Sequence, residues 1–216
     1  MNSKECKKII DTILKKQVSN LKYQEIDISY SKKGLEIFEQ SEQIALIEVK
    51  YLSGNHLPYG ALVSITISTT LIRGKIWDIM NKLNLSFRKN GIYHDYIFNQ
   101  FSSNLRNFAI FKNHGVVSIY PGDDIEGKVL ELFEGIKYHF LEKVINAITV
   151  NSSLIEDIFT SHERYAYPLT TILIACYLNN CEETDIMTQK SKKLKLSDAK
   201  QNKINEIIEK IQLLKD

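Results

Sequence analysis

The chain has 216 residues, of which 44% are hydrophobic and 25% charged, and this balance argues against disorder, because disordered chains lack the apolar residues that offset ordering entropy. Its 28 basic and 26 acidic residues leave a formal net charge of +2, too small a field to attract nucleic acid or an anionic membrane. Three cysteines and no long apolar run argue against a disulfide framework and a membrane span, so we expect a cytoplasmic protein.

The first third of the chain has the pattern of one helix followed by a run of strands. Apolar residues recur at helical spacing over 3–18, and Ser3 is the expected N-cap of this helix. Alternating apolar and polar residues then predict four strands, and a short helix at 76–83 follows them. The predicted strands are 26–30, 35–39, 44–52 and 61–69.

A second run of strands is predicted around a tight hairpin. Asn90 and Gly91 are the preferred pair for a two-residue type I′ turn, because both central residues of that turn need a positive φ. The strands of this run are predicted at 85–89, 92–101, 105–112 and 116–120.

The rest of the chain has helical periodicity. Residues 121–123 end the sheet, and Asp123 caps the longest helical stripe, which runs over 125–149. Further stripes lie at 165–176, from Ile186 onwards and after Ser197.

Strands grouped in runs, with helices between the runs, are typical of the α+β class. We therefore predict a mostly antiparallel sheet of about eight strands in two runs, packed by helices, with a C-terminal helical tail. Two parts of the chain are expected. Residues 1–150 form the α+β sheet domain, and residues 151–216 form a C-terminal helical segment that packs on the same domain.

One strand of the first run ends in a candidate catalytic motif. Glu48 and Lys50, one residue apart, resemble the half-motif of metal-dependent nucleases, in which the glutamate helps to hold a divalent metal and the lysine stabilises the attacked phosphate. The resemblance implies an acid on an earlier strand, which Asp27, Glu36 or Glu39 would supply. The alternative is ordinary strand packing, with Glu48 and Lys50 on the solvent face. A loop follows the lysine, where the nuclease pattern has a helix.

No other motif indicates a catalyst. The five histidines and three cysteines lack the spacing of a metal site, and Cys176 lies in an apolar stripe typical of a core. A phosphate-binding glycine loop, a nucleophile elbow and a dinucleotide fingerprint are all missing from the sequence. We therefore expect a binding protein with no metal and no cofactor rather than an enzyme.

Acidic residues grouped for contact with a partner lie around the start of the 125–149 helix: Asp123, Asp124, Glu126, Glu131 and Glu134. Lysines are grouped instead at 73–90 and 190–203, so we expect an electrically polarised surface. Complementary fields speed encounter and select partners. A competing explanation holds for the acids of the first turn, because they stabilise the helix dipole whatever the function.

Two protein classes resemble this chain in architecture. The order helix, strands, helix, strands, helix over 3–149 resembles type III secretion chaperones, which bind peptides and are not enzymes. The small α+β build, the scarcity of motifs and the Lys/Ile/Asn-rich composition resemble immunity proteins of bacterial toxin systems, which bind a cognate toxin and block it.

The leading prediction is therefore an immunity or antitoxin protein whose partner is another protein, such as a secreted toxin domain, without membrane or nucleic-acid contact. A metal-dependent nuclease that uses Glu48, Lys50 and Asp27 is the first alternative. A structural or chaperone-like subunit is the second.

Overall fold

The structure is a computed structural model, and it describes residues 1–53, 57–72, 74–84, 93–94, 116–150, 152–160, 168–179 and 198–214. The strands are β1 Asp27–Ser31, β2 Gly34–Glu39, β3 Glu42–Tyr51, β4 Val63–Leu71, β5 Tyr93–His94 and β6 Val116–Ile119. The helices are α1 Ser3–Ser19, α2 Lys75–Lys82, α3 Ile125–Ile136, a π-helical segment Lys137–Leu141, α4 Glu142–Thr149, α5 Ser152–Thr160, α6 Pro168–Leu178 and α7 Asp198–Gln212.

The strands form one antiparallel sheet in the order β1-β2-β3-β4, and the short strands β5 and β6 both pair with β4. The predicted α+β class and antiparallel sheet are therefore confirmed, and strands of both predicted runs share one sheet. The predicted count of eight strands is not supported, because the described residues form six. The predicted turn at Asn90-Gly91, most of its arms and the strand at 105–112 lie outside the described residues.

Helix α1 begins with a capping box. Asn2 is the N-cap: its side-chain oxygen accepts a hydrogen bond from the Glu5 backbone N–H at 3.0 Å, and the Asn2 backbone N–H donates to Glu5 Oε2 at 2.9 Å. The expectation that Ser3 is the cap is wrong by one residue, because the box needs an acid or amide three positions after the cap, and only Asn2 places Glu5 there.

The sheet has an apolar face and a hydroxyl-bearing face, and β4 contributes to both. Ile65 pairs with Tyr51 on the apolar face, and the Tyr51 hydroxyl bonds to α1, so α1 covers this face. Residues of β4 on the opposite face carry hydroxyls: Ser64, Thr66, Ser68 and Thr70. Ser64 is 0% exposed and Ser68 is 3% exposed, whereas the Lys50 side chain on the same face is 53% exposed, so the hydroxyl face is buried only in part.

The predicted helix over 125–149 is observed, with two differences. Asp124 is its N-cap, accepting from the Gly127 backbone N–H at 3.1 Å, so the cap lies one residue after Asp123. The π-helical segment interrupts the regular α-helical hydrogen bonding between α3 and α4. The apolar stripe continues through it, since Phe140 and Leu141 are both buried.

The C-terminal part of the chain is helical where it is described. Pro168 is the first residue of α6, where its missing N–H has no partner to lose. Helix α5 contacts α4, α6 contacts α2 and α5, and α7 contacts α6. Helix α5 has no counterpart in the predicted stripes, whereas Ile186 and Ser197 lie outside the described residues. None of the helices in the described ranges has the length and apolar character needed to cross a bilayer.

Candidate functional site

Two of the five acids proposed for partner binding are engaged in the turn before α3. Asp123 Oδ2 accepts hydrogen bonds from the Tyr120 backbone N–H at 2.7 Å and from Lys128 Nζ at 2.6 Å. The hydrogen bond from Lys128, followed by that from the Tyr120 backbone, holds the pKa of Asp123 below its ordinary value. Asp124 caps the helix. The competing explanation, local stabilisation, therefore accounts for this pair.

The other three acids lie on the solvent side of α3. Glu126 is exposed in the first turn, and Glu131 and Glu134 are exposed beyond it. Leu130, 37% exposed, shares this side with Glu134 four residues later, and Tyr138, 65% exposed, lies in the π-helical segment that follows α3. We name Leu130, Glu131, Glu134 and Tyr138 the α3 outer face.

Charges on the α3 outer face are only loosely compensated. The Glu134 carboxylate lies 3.7 Å from Lys137 Nζ, one turn away on the same helix. In the part of the chain that the structure describes, Glu126 and Glu131 take part in no ion pair. The α3 outer face therefore presents apolar and aromatic surface together with negative charge.

The nuclease-like residues lie on the hydroxyl face of the sheet. Glu48 Oε2 is 2.7 Å from Lys50 Nζ and accepts a hydrogen bond from the Ser68 hydroxyl at 2.9 Å. Asp27 lies apart from them. Glu48 pairs with Gly34 of β2, and Gly34 pairs with Ser31 at the end of β1, four residues after Asp27. Four residues of strand extend about 13 Å, beyond reach of a shared metal.

Of the other candidate acids of that motif, Glu36 pairs with Leu46 and so lies diagonally across from Glu48 on the same face, whereas Glu39 pairs with Glu42 at the far end of β2. No three His, Cys, Asp or Glu side chains of the described residues are arranged to hold a metal ion. Cys6 and Cys176 are fully buried, which agrees with the predicted core position of Cys176. Burial raises the pKa of the Cys6 thiol. His56, His114 and His162 lie outside the described residues.

A polar cluster connects α1 with the sheet. Asp11 Oδ1 accepts a hydrogen bond from the Tyr30 hydroxyl at 2.8 Å and another from the Tyr51 hydroxyl at 2.7 Å. Burial and the bonds to Asp11 raise the pKa of both tyrosines well above the ordinary value. Lys7 Nζ lies 5.1 Å from the centre of the Tyr51 ring, within range of a cation–π contact. Both hydroxyls are therefore neutral donors at ordinary pH.

A groove of about 610 Å³ opens beside this cluster, between α1 and the end of β1. It is lined by Lys4, Lys7, Lys8, Asp11, Thr12, Lys15, Tyr30, Ser31 and Lys32. We name it the lysine groove. None of the predicted sites included this groove, although Lys8 and Lys15, four and eleven residues after Lys4, fall on one side of a helix. That spacing alone gives no sign of Lys32, which reaches the groove from the β1–β2 turn.

Known proteins give no further assignment of these surfaces. Only the residues of each surface therefore indicate a role for the α3 outer face, the Glu48–Lys50 pair and the lysine groove. Comparison of the chain with protein-family models, with curated proteins and with solved structures finds no match.

Proposed function

We propose that the protein is a non-enzymatic protein-binding module and that the α3 outer face contacts a basic partner protein. The observation that carries this proposal is the exposure of Leu130 and Tyr138 near Glu131 and Glu134, on α3 and the π-helical segment that continues it. Aromatic and apolar side chains supply most of the binding energy at protein interfaces, whereas charges at the rim select the partner.

The positions of the acids support this role for two of them in particular. A carboxylate in the first turn of a helix stabilises the dipole, but the effect falls off within that turn. Glu131 and Glu134 lie beyond the first turn of α3, so local helix stability gives little reason for their charge. Contact with a basic partner would give their negative charge a function.

The most specific form of the proposal is an immunity or antitoxin protein that binds and blocks a bacterial toxin in the cytoplasm. Its support is the resemblance to immunity proteins in size, α+β build and scarcity of catalytic motifs. A nuclease toxin would offer a basic surface, because its active site binds a polyanion. The acidic α3 outer face would cover such a surface without any catalytic step.

The test uses the toxin candidate encoded beside this gene, produced as an inactive variant, and measures its association rate at several salt concentrations. We expect the charge-reversed variant Glu131→Lys/Glu134→Lys to associate at least about tenfold more slowly at low salt. Glu209→Lys, an exposed change on α7, is the matched control and should leave the rate unchanged. An unchanged rate and salt dependence in the α3 variant would refute the contact.

The nuclease alternative has weaker support from the geometry. The Glu48 carboxylate is already bonded to Lys50 and Ser68, and Asp27 lies too far along β1 to share a metal with it. Binding a metal there would require Glu48 to exchange both of its partners, Lys50 and Ser68.

A further inference from the structure

The lysine groove concentrates positive charge on one concave surface. Five of the described residues that line it are lysines, and Asp11 is the one acid among them. Asp11 is held at the floor by the hydroxyls of Tyr30 and Tyr51, so it offsets one of the five charges and leaves an excess of about four. A concave surface with one sign of charge focuses the field and raises the local concentration of opposite charge.

Two of these lysines, Lys4 and Lys8, are placed against the stability of their own helix. Lys4 and Lys8 are four residues apart, and like charges at that spacing destabilise a helix. Lys4 also lies in the first turn of α1, where the helix dipole disfavours a positive charge. A bound anion would offset this loss of helix stability, so the arrangement favours an anion-binding site.

The chemistry of the groove favours phosphate groups. Lysine ammoniums bind phosphate as point charges, and an excess of about four positive charges suits an anion that carries several negative charges on linked phosphates. The Ser31 hydroxyl oxygen accepts from the Lys33 backbone N–H at 3.1 Å, which leaves its own O–H free to donate to an anion. The Thr12 hydroxyl, in contrast, already donates to the Lys8 carbonyl at 2.8 Å.

The groove is large enough for a small molecule. Its volume of about 610 Å³ falls within the range of about 300–1,000 Å³ that is usual for small-ligand sites. Lys4 and Lys15 are eleven residues apart, which spans about 16 Å of helix. We propose that the lysine groove binds a small anion with several linked phosphate groups, either an inorganic oligophosphate or a nucleoside triphosphate.

The test measures binding of inorganic triphosphate and of ATP to the full chain by calorimetry at low ionic strength. We expect Lys8→Glu/Lys15→Glu to weaken triphosphate binding at least about tenfold, because two charged contacts are lost. Lys16→Glu, an exposed change on the same helix outside the groove, should shift it by less than about twofold. Lys8→Glu and Lys15→Glu each place a second acid about one turn from Asp11, so circular dichroism would verify that α1 remains folded. Lys8→Gln/Lys15→Gln removes the same two positive charges without that repulsion and should also weaken triphosphate binding.

The ligands distinguish the two sources of phosphate. Equal affinity for triphosphate and ATP would mean that the groove recognises phosphate alone, and tighter binding of ATP would mean that it also contacts the nucleoside. Both results support the proposal. Unchanged triphosphate binding in Lys8→Glu/Lys15→Glu would overturn it, as would tighter binding of a ten-nucleotide single strand or of hexaglutamate than of either phosphate compound.

Discussion

Asp11 on α1 and Tyr51 on β3 are 40 residues apart in the sequence, yet the Tyr51 hydroxyl donates a 2.7 Å hydrogen bond to Asp11 Oδ1. Tyr30 of β1 donates to the same oxygen at 2.8 Å. One half-buried carboxylate therefore connects the first helix to two strands of the sheet. Because the apolar contacts of α1 have no direction of their own, this cluster helps to select the rotation and axial position of the helix.

The first prediction concerns the strength of this connection. Tyr51→Phe removes one hydrogen bond and should lower the free energy of unfolding by about 1 kcal/mol. Asp11→Ala leaves two tyrosine hydroxyls without their acceptor and should cost about 2–3 kcal/mol. Urea denaturation measures both. Thr12→Ala, at an exposed neighbouring position, is the control, and an effect of Asp11→Ala no larger than that of the control would contradict the account.

The second prediction concerns alkaline pH. The pKa values of Tyr30 and Tyr51 are raised in the folded state, mainly by burial. A raised folded pKa contributes stability that is fully present below the unfolded pKa of about 10 and is lost as the pH rises toward the folded value. We expect the free energy of unfolding to fall above pH 10 more steeply than in Tyr30→Phe/Tyr51→Phe. Equal slopes in the two proteins would rule this explanation out.

The third prediction concerns acid pH and Asp123. Its pKa is lowered in the folded state, so it contributes stability above its unfolded value of about 3.9, lost as the pH falls through the folded value. Asp123→Asn should destabilise the fold by about 1 kcal/mol at neutral pH, because the charged bond from Lys128 is weakened. Denaturation at pH 7 and at pH 2 should show this difference shrinking in acid. A difference that stays constant would speak against the ionised carboxylate as its source.

The fourth prediction concerns the turn between β1 and β2. Gly34 has φ +132°, and a Cβ at this position would collide with the backbone carbonyl oxygen of Ile47 on β3. Gly34→Ala should therefore lower the free energy of unfolding by more than about 2 kcal/mol, from strain and displacement of β3 together. Gly122, with φ +89° and open space around its Cβ position, is the control, since Gly122→Ala adds strain without a collision. Equal losses at the two glycines would show that the close approach to β3 is not the cause.

The fifth prediction concerns catalysis. Since Glu48 is bonded to Lys50 and Ser68, we expect no cleavage of plasmid DNA in the presence of Mg²⁺ or Mn²⁺. Wild type and Glu48→Gln should behave alike in gel assays. Metal-dependent cleavage by the wild type that is lost in Glu48→Gln would establish the nuclease alternative instead of the proposed binding function.

Local periodicity in the sequence determined much of the secondary structure. The stripes of α1 and of the 125–149 helix, and the alternation of β1 to β4, each depend on neighbours within a few residues. Their ends were less well predicted, because a cap depends on side-chain bonds to single backbone groups. Asn2 and Asp124 therefore replaced Ser3 and Asp123 as caps.

Tertiary structure alone decided which polar groups are buried and which charges share a surface. Alternation in β4 places Ser64 and Ser68 on a polar face, but their burial depends on what covers that face. The acids 123–134 form one cluster in the sequence, yet the structure bonds Asp123 and Asp124 locally and leaves Glu131 and Glu134 exposed. Likewise, the lysine groove unites a helix with a turn that follows it by many residues, and periodicity carries no information about contacts between separate elements.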